Sequence, residues 1–171
     1  LWMDPQWTRY SNLADVKKTI ARAKAQGLQV LLDFHYSDTW ADGDKQPAPK
    51  AWADVKDPHV LADDLYKYTF DTLTGLAQEG LAPELVQVGN ETNVELVGGK
   101  KGQPIDWTRN ALLLNAGIKA VRDAGADYLR PALITPGAPR WDNCDFMRAV
   151  QLRRGRGGGG GGGEVRGGGK T

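Results

Sequence analysis

Val86-Gln87-Val88-Gly89-Asn90-Glu91-Thr92-Asn93 is a short β-branched run that stops at a glycine and delivers an Asn-Glu pair. Such a run reads as a strand, and the polar pair then stands at its C-terminal end. In a parallel barrel that end faces the substrate. A carboxyl there can protonate a leaving oxygen, and a preceding Asn can hold a sugar hydroxyl. The plainer reading is a strand closed by a polar turn, so the neighbouring elements have to decide.

Upstream, Asn12 can cap a helix whose apolar positions Leu13, Val16, Ile20 and Ala23 recur at helical spacing until Gly27, with Asp15 in the first turn. Residues 28–36 are then almost continuously apolar, as in a strand buried on both faces of a parallel sheet. A long loop, 37–56, follows. Asp57-Pro58 opens a second helix as cap and first-turn proline, with Leu61, Leu65, Tyr68, Thr72, Leu73 and Leu76 facing inward and Gly80 beyond its end. Residues 85–89 form the next strand and 92–105 a second loop. Asp106 begins a helix carried by Leu112, Leu113, Ala116, Ala120 and Val121 to Gly125, and 128–135 read as a further strand.

Alternating strands and helices with right-handed crossovers give an α/β fold, a parallel sheet with helices outside it. A doubly wound sheet satisfies the same order. The long polar, Trp-rich loops follow strands while the helix-to-strand turns are short, which favours a (β/α)8 barrel. A complete barrel takes about 250 residues, so a chain of 171 residues is expected to form part of one.

A hydrophobic content of 40% suits a globular domain. No apolar run approaches the roughly 20 residues of a membrane helix, and Leu1-Trp2-Met3-Asp4-Pro5 has neither the basic start nor the apolar run of a signal peptide. Cys144 is the only cysteine, which excludes an internal disulfide and a multi-cysteine zinc site. The net charge of +1 is misleading. Residues 151–171 hold Arg153, Arg154, Arg156, Arg166 and Lys170 against Glu164, and setting these aside from 22 basic and 21 acidic residues leaves 17 against 20. The folded part therefore offers no basic footprint for nucleic acid or an anionic membrane, and neither is expected as a partner.

The same terminal segment contains eleven glycines, seven of them consecutive at 157–163. It lacks the aromatic interleaving of an RNA-binding Arg/Gly tract and reads as low complexity, expected to be disordered, in the manner of an out-of-frame reading of GC-rich DNA. The domain division is thus 1–143 for the barrel portion and 144–171 for the tail.

The loop Asp33-Phe34-His35-Tyr36-Ser37-Asp38-Thr39-Trp40-Ala41-Asp42 is dense in hydrogen-bonding and aromatic groups. Asp33 and His35 are two apart and share one side of the strand. With His59 the only other histidine, on a helix, a His-rich metal site cannot be assembled, and no metal is expected. A hydrogen-bonded core role for His35 stays open. Trp40, Trp52, Trp107 and Trp141 fall in loops or at element starts, where flat aromatic faces suit the apolar faces of pyranose rings, with core packing the default for any one of them. Lys45, Gln46 and Lys50 read as solvated surface unless the loop's position recruits them.

Taken together, the run from Asp33 to Asp42, Lys45-Gln46, Pro49-x-x-Trp52, residues 86–93 and Asn115-Ala116-Gly117 resemble the endo-β-1,4-galactanases of glycoside hydrolase family 53. The resemblance extends from Leu1 to about Pro136. It implies a retaining (β/α)8 enzyme, of which this chain holds about strands two to five, acting outside the cell on the β-1,4-galactan of arabinogalactan. By position it makes Glu91 the acid/base and Asn90 the partner of the sugar 2-hydroxyl. His35 and Asp38 would line the subsite at the scissile bond, Asp42, Gly43, Asp44 and Lys45 a substrate-contacting loop, and Trp40 a stacking platform. The family's Trp-Ala-Asp-Pro reads Trp40-Ala41-Asp42-Gly43 here, a change expected to loosen the loop. The nucleophile Glu that follows strand seven and the calcium loop of bacterial members have no counterpart, so the chain is expected to need no cofactor and to be inactive alone. A non-catalytic carbohydrate-binding remnant and an inert partial gene product are the other readings. Oligomeric state is left open.

Overall fold

The computed structural model describes residues 1–128 and 133–136. Asn12 caps α1 (Leu13–Ala25), its side chain accepting from the Asp15 N–H, and Gly27 takes the left-handed conformation just past the helix end. β1 is Leu31–Phe34. Asp57 caps α2 (Pro58–Gln78) through the His59 N–H, with the expected proline in the first turn. β2 is Leu85–Val88, α3 is Trp107–Tyr128 and β3 is Leu133–Pro136. The strands lie side by side in the order β1-β2-β3, both pairings parallel, with Leu31 opposite Leu85 and Leu85 opposite Leu133.

The first residues add a further stretch to this sheet. Leu1 N donates to Asp33 O, His35 N to Leu1 O and Met3 N to Ser37 O, the slanted ladder of a parallel neighbour on the free edge of β1. Four successive parallel segments therefore share one direction, and the loops after Leu1–Met3, β1 and β2 all open at the same end.

α2 and α3 pack against each other and cover one sheet face. Leu32, Phe34, Val86 and Val88 point into that layer with Leu61, Leu65, Leu73, Leu76, Leu113, Leu114, Ile118 and Val121. Gly117 lets α3 approach the sheet. A Cβ there would lie 2.6 Å from Val88 Cγ1 and 3.1 Å from Tyr36 Oη. A stacked cluster of Phe34, Tyr36 and Trp52, met edge-on by Tyr68, closes the core beneath the loops. Burial pushes the Tyr36 and Tyr68 phenols well above the ordinary tyrosine range, which fits their part in the core.

Several expectations need correction. The apolar run 28–36 is not a strand buried on both faces: the strand proper is four residues, and its burial alternates because the helices cover one face only. Leu31 is 48% exposed on the uncovered face. Gly125 does not end the last helix, which runs on through Tyr128 because one glycine within a helix costs only about 1 kcal/mol. Of the strand read from 128, Tyr128 belongs to the helix, residues 129–132 lie outside the described residues, and 133–135 fall in β3. On α3, Leu114 and Ile118 are buried while Leu112 and Ala116 sit partly buried at the margin. For Trp52 the default of core packing holds, at 6% exposure. Gln46 is 1% exposed, not solvated surface. The tail and its expected disorder, with Trp141 and Cys144, lie outside the described residues.

Candidate active site at the strand C-termini

Glu91 follows β2 by three residues and has a left-handed backbone, φ 43°. For a side chain bearing a Cβ this conformation costs about 1–2 kcal/mol, and such strain collects at functional positions. The turn begins at Gly89, φ 81°, where a Cβ would lie 2.6 Å from Thr92 Cγ2. Asn93 N donates back to Glu91 O at 2.6 Å. The result is an exposed carboxylate whose Oε2 accepts from the Gly43 N–H at 3.1 Å.

Gly43 lies at the tip of a two-residue hairpin. Asp42 N and Lys45 O, and Lys45 N and Asp42 O, close it at 2.8 and 3.2 Å, and Asp42 Oδ1 accepts from both Asp44 N and Lys45 N at 3.0 Å. The Gly43 N–H, which a proline could not supply, holds the Glu91 carboxylate.

Gln46 ties the hairpin to the β2 turn. Its Nε2 donates to Asp42 O at 2.9 Å and to Asn90 O at 2.7 Å, with a longer contact to Glu91 O at 3.4 Å. Asn90 reinforces the link, Nδ2 donating to Ala41 O at 2.8 Å. Its amide oxygen takes a long bond from Gln87. Asn90 is thus positioned from both sides beside Glu91.

His35 is buried, with Nδ1 accepting from Ala41 N at 3.2 Å and Nε2 3.3 Å from Asp33 Oδ2. An accepting Nδ1 requires the proton on Nε2, which then faces the Asp33 carboxylate. Both Asp38 oxygens serve backbone donors, Oδ1 from Asp4 and Oδ2 from Lys50 at 2.9 and 2.7 Å, so Asp38 clamps two rim loops together. Asp44 pairs with Lys101 at the exposed surface, and the Lys45 backbone bridges to Lys100. Trp40 is 51% exposed, its ring against His35.

The structure thus brings Glu91, Asn90, Gly43, Asp42 and, through Gln46, the whole hairpin into one unit, with His35 and Trp40 adjoining. Asp44 and the Lys45 side chain face outward. Trp2 and Trp7 belong to the same rim without a local signal in the sequence, and Gln46, part of a family-like motif but read as solvated surface, is the rim's tie. The second loop is held from behind by Arg109, which reaches Glu95, Leu96 O and Val97 O, and by Asn110, which accepts from Leu96 N. Among the described residues no group of three His, Cys, Asp or Glu side chains could hold a metal ion. No helix among them is long and apolar enough to cross a membrane.

A family model described as glycosyl hydrolase family 53 matches residues 1–134. The arabinogalactan endo-β-1,4-galactanase of Cellvibrio japonicus is 56% identical over 127 residues, 72% of this chain and 34% of the relative. The endo-β-1,4-galactanase of Bacillus subtilis is 46% identical over 118 residues, 67% of this chain and 26% of the relative. Among solved structures, the GH53 catalytic domain of Ignisphaera aggregans superposes with a TM-score of 0.66 at 36% identity, covering 78% of this chain and 37% of that one. A fungal β-1,4-galactanase superposes with a TM-score of 0.68 at 36% identity, over 78% and 38% of the two chains. The chain spans about a third of the length of these relatives, and its parallel βα units correspond to that part of their TIM barrel.

Proposed function

The chain belongs to glycosyl hydrolase family 53, and from that premise we propose that it carries the acid/base half of a retaining endo-β-1,4-galactanase site. The reading rests on one observation above others: an exposed carboxylate, Glu91, is fixed at the strand C-termini by a main-chain N–H from the neighbouring rim loop. Among the described residues no partner holds its Oε1, which is left to meet a glycosidic oxygen. In retaining hydrolysis such a group first protonates the leaving oxygen and then, as carboxylate, takes a proton from the attacking water. Asn90 supplies amide hydrogen bonding beside it, and Trp40 an aromatic face for a pyranose ring. The hairpin at Asp42, Gly43, Asp44 and Lys45, with Asp38 and His35 behind it, shapes the wall of the cleft.

Double displacement needs a second carboxyl about 5–5.5 Å from the first. In our reading it comes from the part of the family's length to which this chain does not align. The 171-residue chain alone then binds β-1,4-galactan without cleaving it, and acid/base chemistry by two carboxyls calls for no cofactor. A polymeric cell-wall substrate places the complete enzyme outside the cell.

The test pairs binding with turnover. Affinity electrophoresis should retard the chain in β-1,4-galactan more than in xylan or β-glucan, with no reducing ends released. Cleavage of galactan by the chain alone would refute the missing-nucleophile element. Equal retardation in all three polymers would refute the substrate assignment.

A further inference from the structure

Trp7 and Trp40 are the two most exposed tryptophans of the described residues, 68% and 51%, and they are the ends of one continuous aromatic row. The Trp7 ring meets Trp2 at 5.3 Å between centroids, Trp2 meets His35 at 6.1 Å, and His35 meets Trp40 at 5.3 Å. The two inner rings are buried, Trp2 at 8% and His35 at 7% exposure, so they act as a floor that holds the outer indoles in place.

The segment that presents Trp7 is itself fixed. Trp2 N donates to Ser11 O at 2.9 Å, closing residues 2–11 into a loop, and Asp4 N is held by Asp38, the carboxylate that also anchors the Trp40 loop through Lys50 N. An indole that is two-thirds exposed has given up the burial its apolar area would gain, at roughly 25 cal/mol per Å². The row that begins at this indole ends at Trp40, whose loop is tied to the Glu91 turn by the bond from Asn90 to Ala41 O.

We propose that Trp7 is a second sugar-stacking platform, which extends the cleft from Trp40 across the row so that it holds a β-1,4-linked pyranose chain beyond the residue at Glu91. The proposal rests on the reading of this rim as a galactan cleft. A flat π face with hydrogen-bonding groups on either side suits the apolar face of a pyranose with equatorial and axial hydroxyls at its edge. Two buried rings, Trp2 and His35, lie between the exposed indoles, so each indole takes a different residue of the glycan.

The experiment uses the full 171-residue chain with β-1,4-galactan in affinity gels and β-1,4-galactohexaose in calorimetry. It compares Trp7→Ala, Trp7→Phe, Trp40→Ala and Leu28→Ala, the last an exposed apolar control at the opposite end of the strands. Loss of one stacking contact should weaken binding about threefold to tenfold in Trp7→Ala. Trp7→Phe should retain most of the affinity, and Leu28→Ala all of it. Unchanged binding by Trp7→Ala beside weakened binding by Trp40→Ala would overturn the second platform and leave the cleft reading standing. Weakened binding by Trp7→Ala alone would uphold the platform and remove Trp40 from the cleft. Failure of the unaltered chain to bind galactan would overturn both.

Discussion

Gln46→Leu removes the side chain that ties the two rim loops together while nearly preserving its volume. The substitution loses two good hydrogen bonds, to Asp42 O at 2.9 Å and to Asn90 O at 2.7 Å. Asp42 O keeps the Lys45 N–H as a donor, so that loss is worth about 1 kcal/mol. Asn90 O keeps no donor among the described residues. Stranding a partly buried carbonyl costs about 1–3 kcal/mol. Against this, Gln46 Oε1 is itself buried without a partner among the described residues, and its removal returns about 1 kcal/mol. The net loss is about 2 kcal/mol, roughly a thirtyfold shift in the folding equilibrium. With a urea slope near 2 kcal/mol/M, the midpoint should fall by about 1 M. The main-chain bonds of residue 46 to Gly98 and Gly99 are untouched by the substitution, so the change isolates the side chain. Amide exchange at Gly43, whose N–H is given to Glu91, should quicken with it. A midpoint shift below about 0.2 M with unaltered exchange at Gly43 would refute the argument that Gln46 holds the rim.

Gly117→Ala places a methyl group against Val88 Cγ1, on a stiff β-branched side chain in the helix-sheet interface. It should destabilise by about 1–3 kcal/mol, lowering the thermal midpoint by several degrees, against a gain if the helix-propensity benefit of alanine wins. Glu84→Gln tests an ion pair outside the site. Lys24 hydrogen-bonds the Glu84 carboxyl and holds it below the usual range, assisted by the Val30 N–H and opposed by partial burial. A carboxyl lowered on folding stabilises above its unfolded value and loses that contribution as pH falls through the folded one. The stability gap between the unaltered chain and Glu84→Gln should therefore be constant near neutrality and shrink on acidification below the ordinary glutamate range, as urea titrations at stepped pH would show. A gap that widened in acid would contradict the assignment.

The helices were legible because their signals are local. Asn12 and Asp57 each cap through a donor two or three residues away, and the spacing of Leu61, Leu65, Leu73 and Leu76 fixes the buried face of α2. The parallel order followed from element sequence alone. The strand faces were less legible: residues 28–36 are apolar on both sides, yet only one side is covered, and periodicity cannot distinguish a covered face from an open one. At the site, Glu91 and Asn90 stood out because a strand ends there. What could not be read was how they are held. Gln46 reaches Asn90 across 44 positions and Gly43 reaches Glu91 across 48, and no local pattern encodes contacts of that range. The left-handed turn at Glu91 was equally hidden, since glutamate does not announce it as glycine would. Trp2 and Trp7 join the rim only because the chain's first residues run beside β1.

The most direct test of the central claim completes the barrel by grafting the remaining strands of a family relative onto this chain and then replaces Glu91 with alanine. General acid catalysis contributes about 10²–10⁴-fold, and it matters most when the leaving group is poor. Glu91→Ala should therefore lower galactan cleavage by that order while largely preserving the first step on an aryl galactoside with a good leaving group. Added azide should restore turnover on the aryl substrate by attacking in place of the base-assisted water. Galactan hydrolysis within a few-fold of the unaltered chimera, with no response to azide, would contradict the assignment of Glu91 as the acid/base.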